Sequence, residues 1–335
     1  MKEIWLTLAL LMIISGCRVE RKEKEMSSKN EPQNTYCVGR HTVGLPGSFT
    51  ESPVTTGTFK GSGLSAQDPS FDVVVRAMGM TRSQFASEVQ KRRAEIAESS
   101  SGNVKVLRLE KEVSDDTTLF RVQEIDDAYV SEVILLRGSS VVTVRLESYR
   151  GQFLAAEESL IKFAAGIKDK HEEVGGEQSH GFCLGPVVVT GEFNDENGSF
   201  LFRNNKGADF GIEIVTYTPD EQVPLLARMS GSDSLLTIFD VRHKVLRARE
   251  RTLAGMRAQE WLGWARLSEE QDAKTLKFVL ETMRPTPGKT TPGMHLTFET
   301  AQPLEDGSPT KTLMSDDEAI QLWDSVVNSI RLATG

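Results

Sequence analysis

The sequence predicts an α+β protein of two similar domains, each an antiparallel sheet with helices packed on it, related by internal duplication. Three observations predict this. The chain has 335 residues, enough for two domains at about 150 residues each. Its apolar pattern gives strands in succession, with helical spacing near the start and at the end of each half. The chain also starts twice, since Tyr36-Cys37-Val38-Gly39 is echoed by Phe182-Cys183-Leu184-Gly185.

The echo continues in order. Thr56-Gly57-Thr58-Phe59 matches Thr190-Gly191-Glu192-Phe193, and Phe71-Asp72-Val73-Val74-Val75 parallels Phe210-Gly211-Ile212-Glu213-Ile214, the latter two reading as short strands. Each strand leads into a helix start. Thr81 with Gln84 forms a capping-box pattern before residues 85–96, and Thr218 with Glu221 forms another, with Pro219 at the first helical position. Strand spacing follows at residues 104–109, 119–122, 130–136 and 141–146, and residues 152–167 then read as a helix. The second half offers strands at 235–241, 244–249, 252–261, 275–283 and 295–300. Its last helix starts at Ser315 with Glu318 three residues on, and Ile320, Trp323, Val326, Val327 and Ile330 form its apolar stripe. These signals divide the chain into a first domain at 35–170, a glycine- and glutamate-rich linker at 171–181 and a second domain at 182–335.

Residues 1–16 read as a signal peptide: Lys2 supplies a charged start, and the apolar run of residues 4–14 is too short to span a bilayer. Ile14-Ser15-Gly16-Cys17 resembles the lipobox of a bacterial lipoprotein, in which Cys17 would be lipidated and become the mature N-terminus. An ordinary cleaved leader with an incidental cysteine, or a buried first helix, is the alternative. Arg18 follows the cysteine, with no Asp to suggest inner-membrane retention, so an outer-membrane anchor facing the periplasm is expected. Residues 18–34 mix both signs of charge with almost no large apolar side chains and read as a flexible tether, reaching about 20–25 Å.

Composition excludes several classes. Net charge is −9, which argues against a nucleic-acid grip and against contact with an anionic membrane other than through the lipid anchor. Three cysteines are too few for a disulfide scaffold or a four-ligand structural zinc site. Once Cys17 is lipidated, Cys37 and Cys183 remain at matched positions. They would either staple the two domain heads together in an oxidising compartment or lie as two separately buried thiols.

A search for catalytic chemistry finds no H-E-x-x-H among the five histidines, no G-x-S-x-G, no P-loop and no G-x-G-x-x-G. The acidic pairs fall in turns or at a helix start, where solvation and the helix dipole favour them. No enzyme, metal site or cofactor is expected. Two stretches stand out as partner-binding candidates. Asp195-Glu196-Asn197-Gly198 reads as an exposed acidic hairpin tip with an Asn-Gly turn, either a plain turn or an element to insert into a partner. Arg247 and Arg249 open a run of arginines through Arg251, Arg257 and Arg266, interleaved with Met256, Trp261 and Trp264. Arginine and tryptophan are enriched in binding hot spots; a half-buried strand with a solvated face gives the same alternation and is the stronger reading, with Trp261 in the core.

Several motifs then combine into a resemblance. Cys183-Leu184-Gly185-Pro186, Val189-Thr190-Gly191-Glu192-Phe193, Phe239-Asp240-Val241, Ala254-Gly255-Met256-Arg257-Ala258-Gln259-Glu260-Trp261 and Leu296-Thr297-Phe298, with Cys37-Val38-Gly39-Arg40 in the first half, resemble the two-domain periplasmic immunity proteins paired with type VI secretion phospholipase effectors. The resemblance implies a protein that binds its cognate lipase in the periplasm, clasps it between two domains and stops it opening onto lipid. It implies a chain that is monomeric when free. A lipoprotein binding a small ligand or an envelope component between its domains is the alternative. The acidic balance, 17 basic against 21 acidic residues over 35–182 and 16 against 22 over 183–335, suits a partner with basic patches.

Overall fold

Alternating apolar and polar residues make most of this chain into strands, and the computed structural model describes them over residues 31–61, 69–99, 105–171, 181–217, 223–230, 242–266, 274–283, 287–302, 312 and 314–333. The first half runs β1 (Gln33–Val38), β2 (His41–Pro46), β3 (Phe49–Glu51), β4 (Thr55–Lys60), β5 (Ser70–Ala77), α1 (Arg82–Ser99), β6 (Val106–Ser114), β7 (Thr117–Ile125), β8 (Ala128–Arg137), β9 (Ser140–Tyr149), α2 (Phe153–Ala165) and β10 (Ile167–Asp169). The second runs β11 (Phe182–Leu184), β12 (Val187–Val189), β13 (Asp195–Asn204), β14 (Asp209–Val215), α3 (Leu225–Ser230), β15 (Arg242–Leu253), β16 (Met256–Arg266), β17 (Lys274–Thr282), β18 (Gly293–Glu299), α4 (Asp316–Ser329) and β19 (Arg331–Leu332). The architecture is mostly antiparallel sheet with four helices among the described residues, an α+β arrangement.

One sheet of 13 strands crosses both halves, in the order β15-β16-β17-β18-β14-β13-β4-β5-β9-β8-β7-β6, with β3 also paired to β13. Reading outward from the β4–β13 pair, each half presents its strands in the same sequence. Two short sheets lie across the boundary: β10, from the end of the first half, pairs with β12, and β19, from the end of the second, pairs with β2. The main apolar core is accordingly continuous, from Val144 and Phe163 through Phe59, Phe182 and Phe200 to Phe278 and Trp323. On the opposite sheet face α1 buries Phe85, Val89 and Ile96 against Phe120 and Ile134, and α3 packs Leu225 against Trp261 and Val279. Strand alternation requires this division, because Leu119 and Val133 serve one core while their neighbours Phe120 and Ile134 serve the other.

Both capping boxes within the described residues form. The Thr81 amide donates to Gln84 Oε1 at 2.8 Å, and Ser315 caps α4 reciprocally with Glu318. The Thr218–Glu221 box lies outside the described residues, as does 172–180 of the expected linker. Three expectations need correction. The residues facing Thr56-Gly57-Thr58 across the junction are Asn197, Gly198 and Ser199, whereas Thr190–Phe193 spans the connection from β12 to β13. The expected break between residues 249 and 252 is absent; β15 continues to Leu253 and turns at Ala254-Gly255, with φ of 46° and 81°, the paired positive angles of a two-residue hairpin. Asp195-Glu196-Asn197-Gly198 is no hairpin tip, since it opens β13 in the middle of the sheet, laddered to β4 throughout and to β14 from Asn197 onward. The segment shares its hydrogen bonds with β4 of the other half, a pairing that local turn chemistry does not reveal.

Candidate functional site

The heads of the two halves meet at the junction. Gly39 and Cys183 exchange backbone hydrogen bonds at 3.0 and 2.8 Å, which places Cys37 beside Cys183; the two are disulfide-bonded with Cα atoms 5.8 Å apart. Gly39 and Gly185 hold φ of +58° and +65° at the start of their two-residue turns, a conformation that favours glycine. The next residue in the first turn, Arg40, reaches across to Glu196 with a two-pronged contact of 2.6 and 2.7 Å. Glu196 is fully buried, and its amide donates to Thr216 Oγ1 at 2.7 Å. Lys289 lies 3.7 Å from Glu196 and 2.9 Å from Glu192. The Arg40 guanidinium is held above its ordinary value by its hydrogen bond to Glu196, against the opposing effect of burial. Asp195 pairs with Lys60 at 3.6 Å, and Asn197 Oδ1 accepts from the Thr216 amide at 3.3 Å. Asp195 and Glu196 therefore tie the halves together through Lys60 and Arg40, while Asn197 is held within the second half by Thr216; burial of these groups without partners would be costly.

The arginine run resolves into an ion cluster. Glu260 on β16 is fully buried and receives Arg249 at 2.7 Å, Arg251 at 2.8 Å and the Trp323 indole N–H at 3.1 Å. Arg247 spans Glu260 and Asp324 of α4, the latter at 2.6 and 2.8 Å. Burial pushes the Glu260 carboxyl up, but hydrogen bonds from Arg251, Trp323 and Arg249 outweigh it and leave the group below the usual carboxylate range. Arg247 is thus committed to fastening α4 onto the sheet, and Arg249 is half-exposed. Trp261 lies on the other face, buried under α3 as expected. The first half does the same with different residues: Arg121 of β7 grips Glu157 of α2 at 2.5 and 2.9 Å. Sequence reasoning found the arginines and missed their anions. The signal was available once strands were paired, since Arg249 and Glu260 are direct register partners.

His295 donates through Nδ1 to the Glu281 carboxylate at 2.9 Å, and Glu281 also accepts from Arg228. Burial raises the Glu281 carboxyl, and the bonds from His295 and Arg228 more than reverse that. An oriented histidine is half of an acid–base pair, yet the cross-strand neighbours of His295 are Glu213 and Glu281, and neither is a hydroxyl or thiol nucleophile. Among the described residues no group of three or more His, Cys, Asp or Glu side chains could hold a metal ion. Cys17 lies outside the described residues.

Residues 177–335 match the family model of the Tle cognate immunity protein 4 C-terminal domain. The chain is also similar in fold, over 90–92% of its length, to solved immunity proteins. The apo structure of immunity protein TplEi of the type VI secretion system from Pseudomonas aeruginosa aligns with a TM-score of 0.64 at 17% identity, covering 92% of this chain and 100% of that one. TplEi with "L" peptide aligns with a TM-score of 0.60 at 18% identity, covering 90% and 99%. A chain of the crystal structure of the Tle4–Tli4 complex aligns with a TM-score of 0.63 at 19% identity, covering 90% and 98%. Comparison with curated proteins finds no match.

The resemblance read from the sequence motifs is borne out, and it is to immunity proteins rather than to enzymes. Within the matched residues 177–335, the Glu260 cluster and the α4 capping box fix the last helix. Glu196, near the start of the matched region, is the point at which Arg40 of the first half is held.

Proposed function

We propose that this protein is the immunity partner of a type VI secretion phospholipase: it binds the effector in the periplasm and blocks its access to phospholipid, protecting the cell from itself and its sisters. The observation that carries the reading is the match of residues 177–335 to the Tle cognate immunity protein 4 C-terminal domain. Its sheet continues without interruption into the first half, so both halves form one binding body. An inhibitor needs shape, charge and address, and a rigid acidic platform supplies the first two.

Other features support the rest of the reading. A disulfide between Cys37 and Cys183 suits an oxidising compartment. The leader and Cys17 supply the address: lipidation would hold the free monomer at the outer membrane, on a tether that raises its effective concentration where a lipase acts. The matching strand order of the two halves favours an origin by duplication of one α+β unit, with 171–181 as the linker.

Co-expression with a candidate type VI secretion phospholipase, followed by co-purification and assay of vesicle lipolysis, tests the function. Stoichiometric complex and loss of lipolysis are expected; an active lipase in the presence of excess protein overturns the reading.

A further inference from the structure

His41 is 1% exposed, and neither of its ring nitrogens has a hydrogen-bond partner among the described residues. It opens β2, with Val38 of β1 and Leu332 of β19 as register partners on either side. Strand alternation sets it on the face of β2 that carries the core residues Val43 and Leu45. A buried polar group without a partner costs free energy that an apolar residue at the same place would not. That cost grows when the ring gains a proton, because an imidazolium must reach water.

The elements around it differ in how firmly they are held. β1 is joined to β2 by six register pairs and is fastened further by the Cys37–Cys183 bond. α4 is fixed to β2 through the Ser329 hydroxyl, which accepts from the Gly44 amide at 2.7 Å, and to β15 through Arg247 and Asp324. β19 has two register pairs, Arg331 with Thr42 and Leu332 with His41, and the Ala333 amide donates to the Arg40 carbonyl at 2.9 Å. Arg331, Leu332 and Ala333 are all exposed. Short exposed pairings open before packed ones.

No charge nearby compensates an imidazolium. The titratable groups of β1 are Tyr36, whose hydroxyl donates to the Phe49 carbonyl, and the bonded Cys37. β19 brings the positive Arg331, and the adjoining turn brings Arg40, already matched by Glu196. The acids of α4 are Asp316, Asp317 and Glu318 in its first turn, at the far end of the helix from Ser329, and Asp324, which is committed to Arg247 and Arg251.

We propose that β19 is an acid-released latch: a proton on His41 drives the C-terminal strand off β2 while the rest of the sheet stays closed. The latch goes beyond the proposed immunity function and does not depend on an effector. In the open form the ring titrates near its ordinary 6.5, whereas burial in the closed form pushes it down to about 4. The closed form therefore loses ground as pH falls from 6.5 toward 4, and the ratio of open to closed rises about 20-fold between pH 7 and pH 5.

Hydrogen exchange of the full chain, corrected for the intrinsic rate at each pH, tests the latch. Opening at the amides of residues 331–333 should rise about 20-fold from pH 7 to pH 5, with β8 and β9 unchanged. His41→Leu should reduce that rise to less than about twofold. Leu332→Gly thins the cover and leaves the imidazole in place; it should raise opening at pH 7 and move the His41 titration, followed by NMR, up toward 6.5. The same rise in wild type and His41→Leu overturns the latch. So does a rise spread equally over β8 and β9, which makes protonation an unfolding of the whole protein, and so does a His41 titration that Leu332→Gly leaves in place.

Discussion

Gly57 on β4 and Gly198 on β13 face each other as register partners in the strand pair that joins the two halves of the sheet. A Cβ on Gly198 would lie 2.9 Å from two ring atoms of Phe182, and one on Gly57 would lie 3.0 Å from the Asn197 carbonyl and 3.1 Å from Leu184. The glycines let β11, which carries Cys183, settle onto the junction. Gly198→Val is expected to destabilise by about 1–3 kcal/mol through overpacking, read as a lower urea midpoint. An unchanged midpoint would mean that Phe182 has room to move.

The Cys37–Cys183 bond closes a loop of 146 residues. Loop-closure entropy at that length corresponds to as much as about 5 kcal/mol of stabilisation, mainly through the unfolded chain. Cys37→Ser with Cys183→Ser should lower the unfolding free energy by several kcal/mol under oxidising conditions, and reductant should shift wild type but leave the variant where it is. Equal midpoints for the two proteins would count against a stabilising staple.

Glu260 is shared by three arginines, so its removal and the removal of one arginine should differ sharply. Glu260→Gln leaves Arg247 and Arg251, 19% and 10% exposed, with only Asp324 as acid, and breaking a buried pair from one side costs about 3–5 kcal/mol. Arg249→Ala removes a half-exposed partner, for which about 1 kcal/mol or less is expected. Urea titrations of both variants check the contrast, with loss of near-ultraviolet signal from Trp323 marking release of α4.

How much of this was legible in the sequence follows the range of the interactions. The capping boxes at Thr81 and Ser315 were readable because their partners sit three residues away. The Cys37–Cys183 pair was visible as a possibility and undecidable, since its geometry depends on Gly39 meeting Cys183 across the junction. Asp195-Glu196-Asn197-Gly198 misled for the same reason: Asn-Gly favours a turn locally, while β4 and β14 on either side hold it extended. Arg247 and Arg249 were noticed as unusual, and their meaning lay in Glu260 and Asp324, far along the chain. The two-domain pattern was legible as repetition, whereas the continuous core was not, because strand pairing between β4 and β13 leaves no periodic trace in either strand.

Two buried titratable groups near the junction oppose each other in pH. Burial pushes the Glu51 carboxyl up to about 7, against the pull of Lys170, and its Oε1 has no hydrogen-bond partner among the described residues. Burial pushes His41 down to about 4, and both of its ring nitrogens are likewise unpartnered. The folded state holds the Glu51 proton longer than the unfolded chain does, so that contribution is full below about pH 4.5 and is lost as pH rises through about 7. His41 has the reverse sign: its contribution is full above about pH 6.5 and is lost as pH falls through about 4. Between about pH 4.5 and 6.5 the two slopes run against each other, and wild type should look nearly pH-independent from these groups. Glu51→Gln separates them. Relative to wild type it should gain about 2–3 kcal/mol at pH 8 and almost nothing at pH 4.5, leaving the His41 slope exposed as a stability that rises with pH. Urea unfolding at the two pH values measures both, and an equal gain at pH 4.5 and pH 8 would show that the Glu51 carboxyl is not the group held protonated.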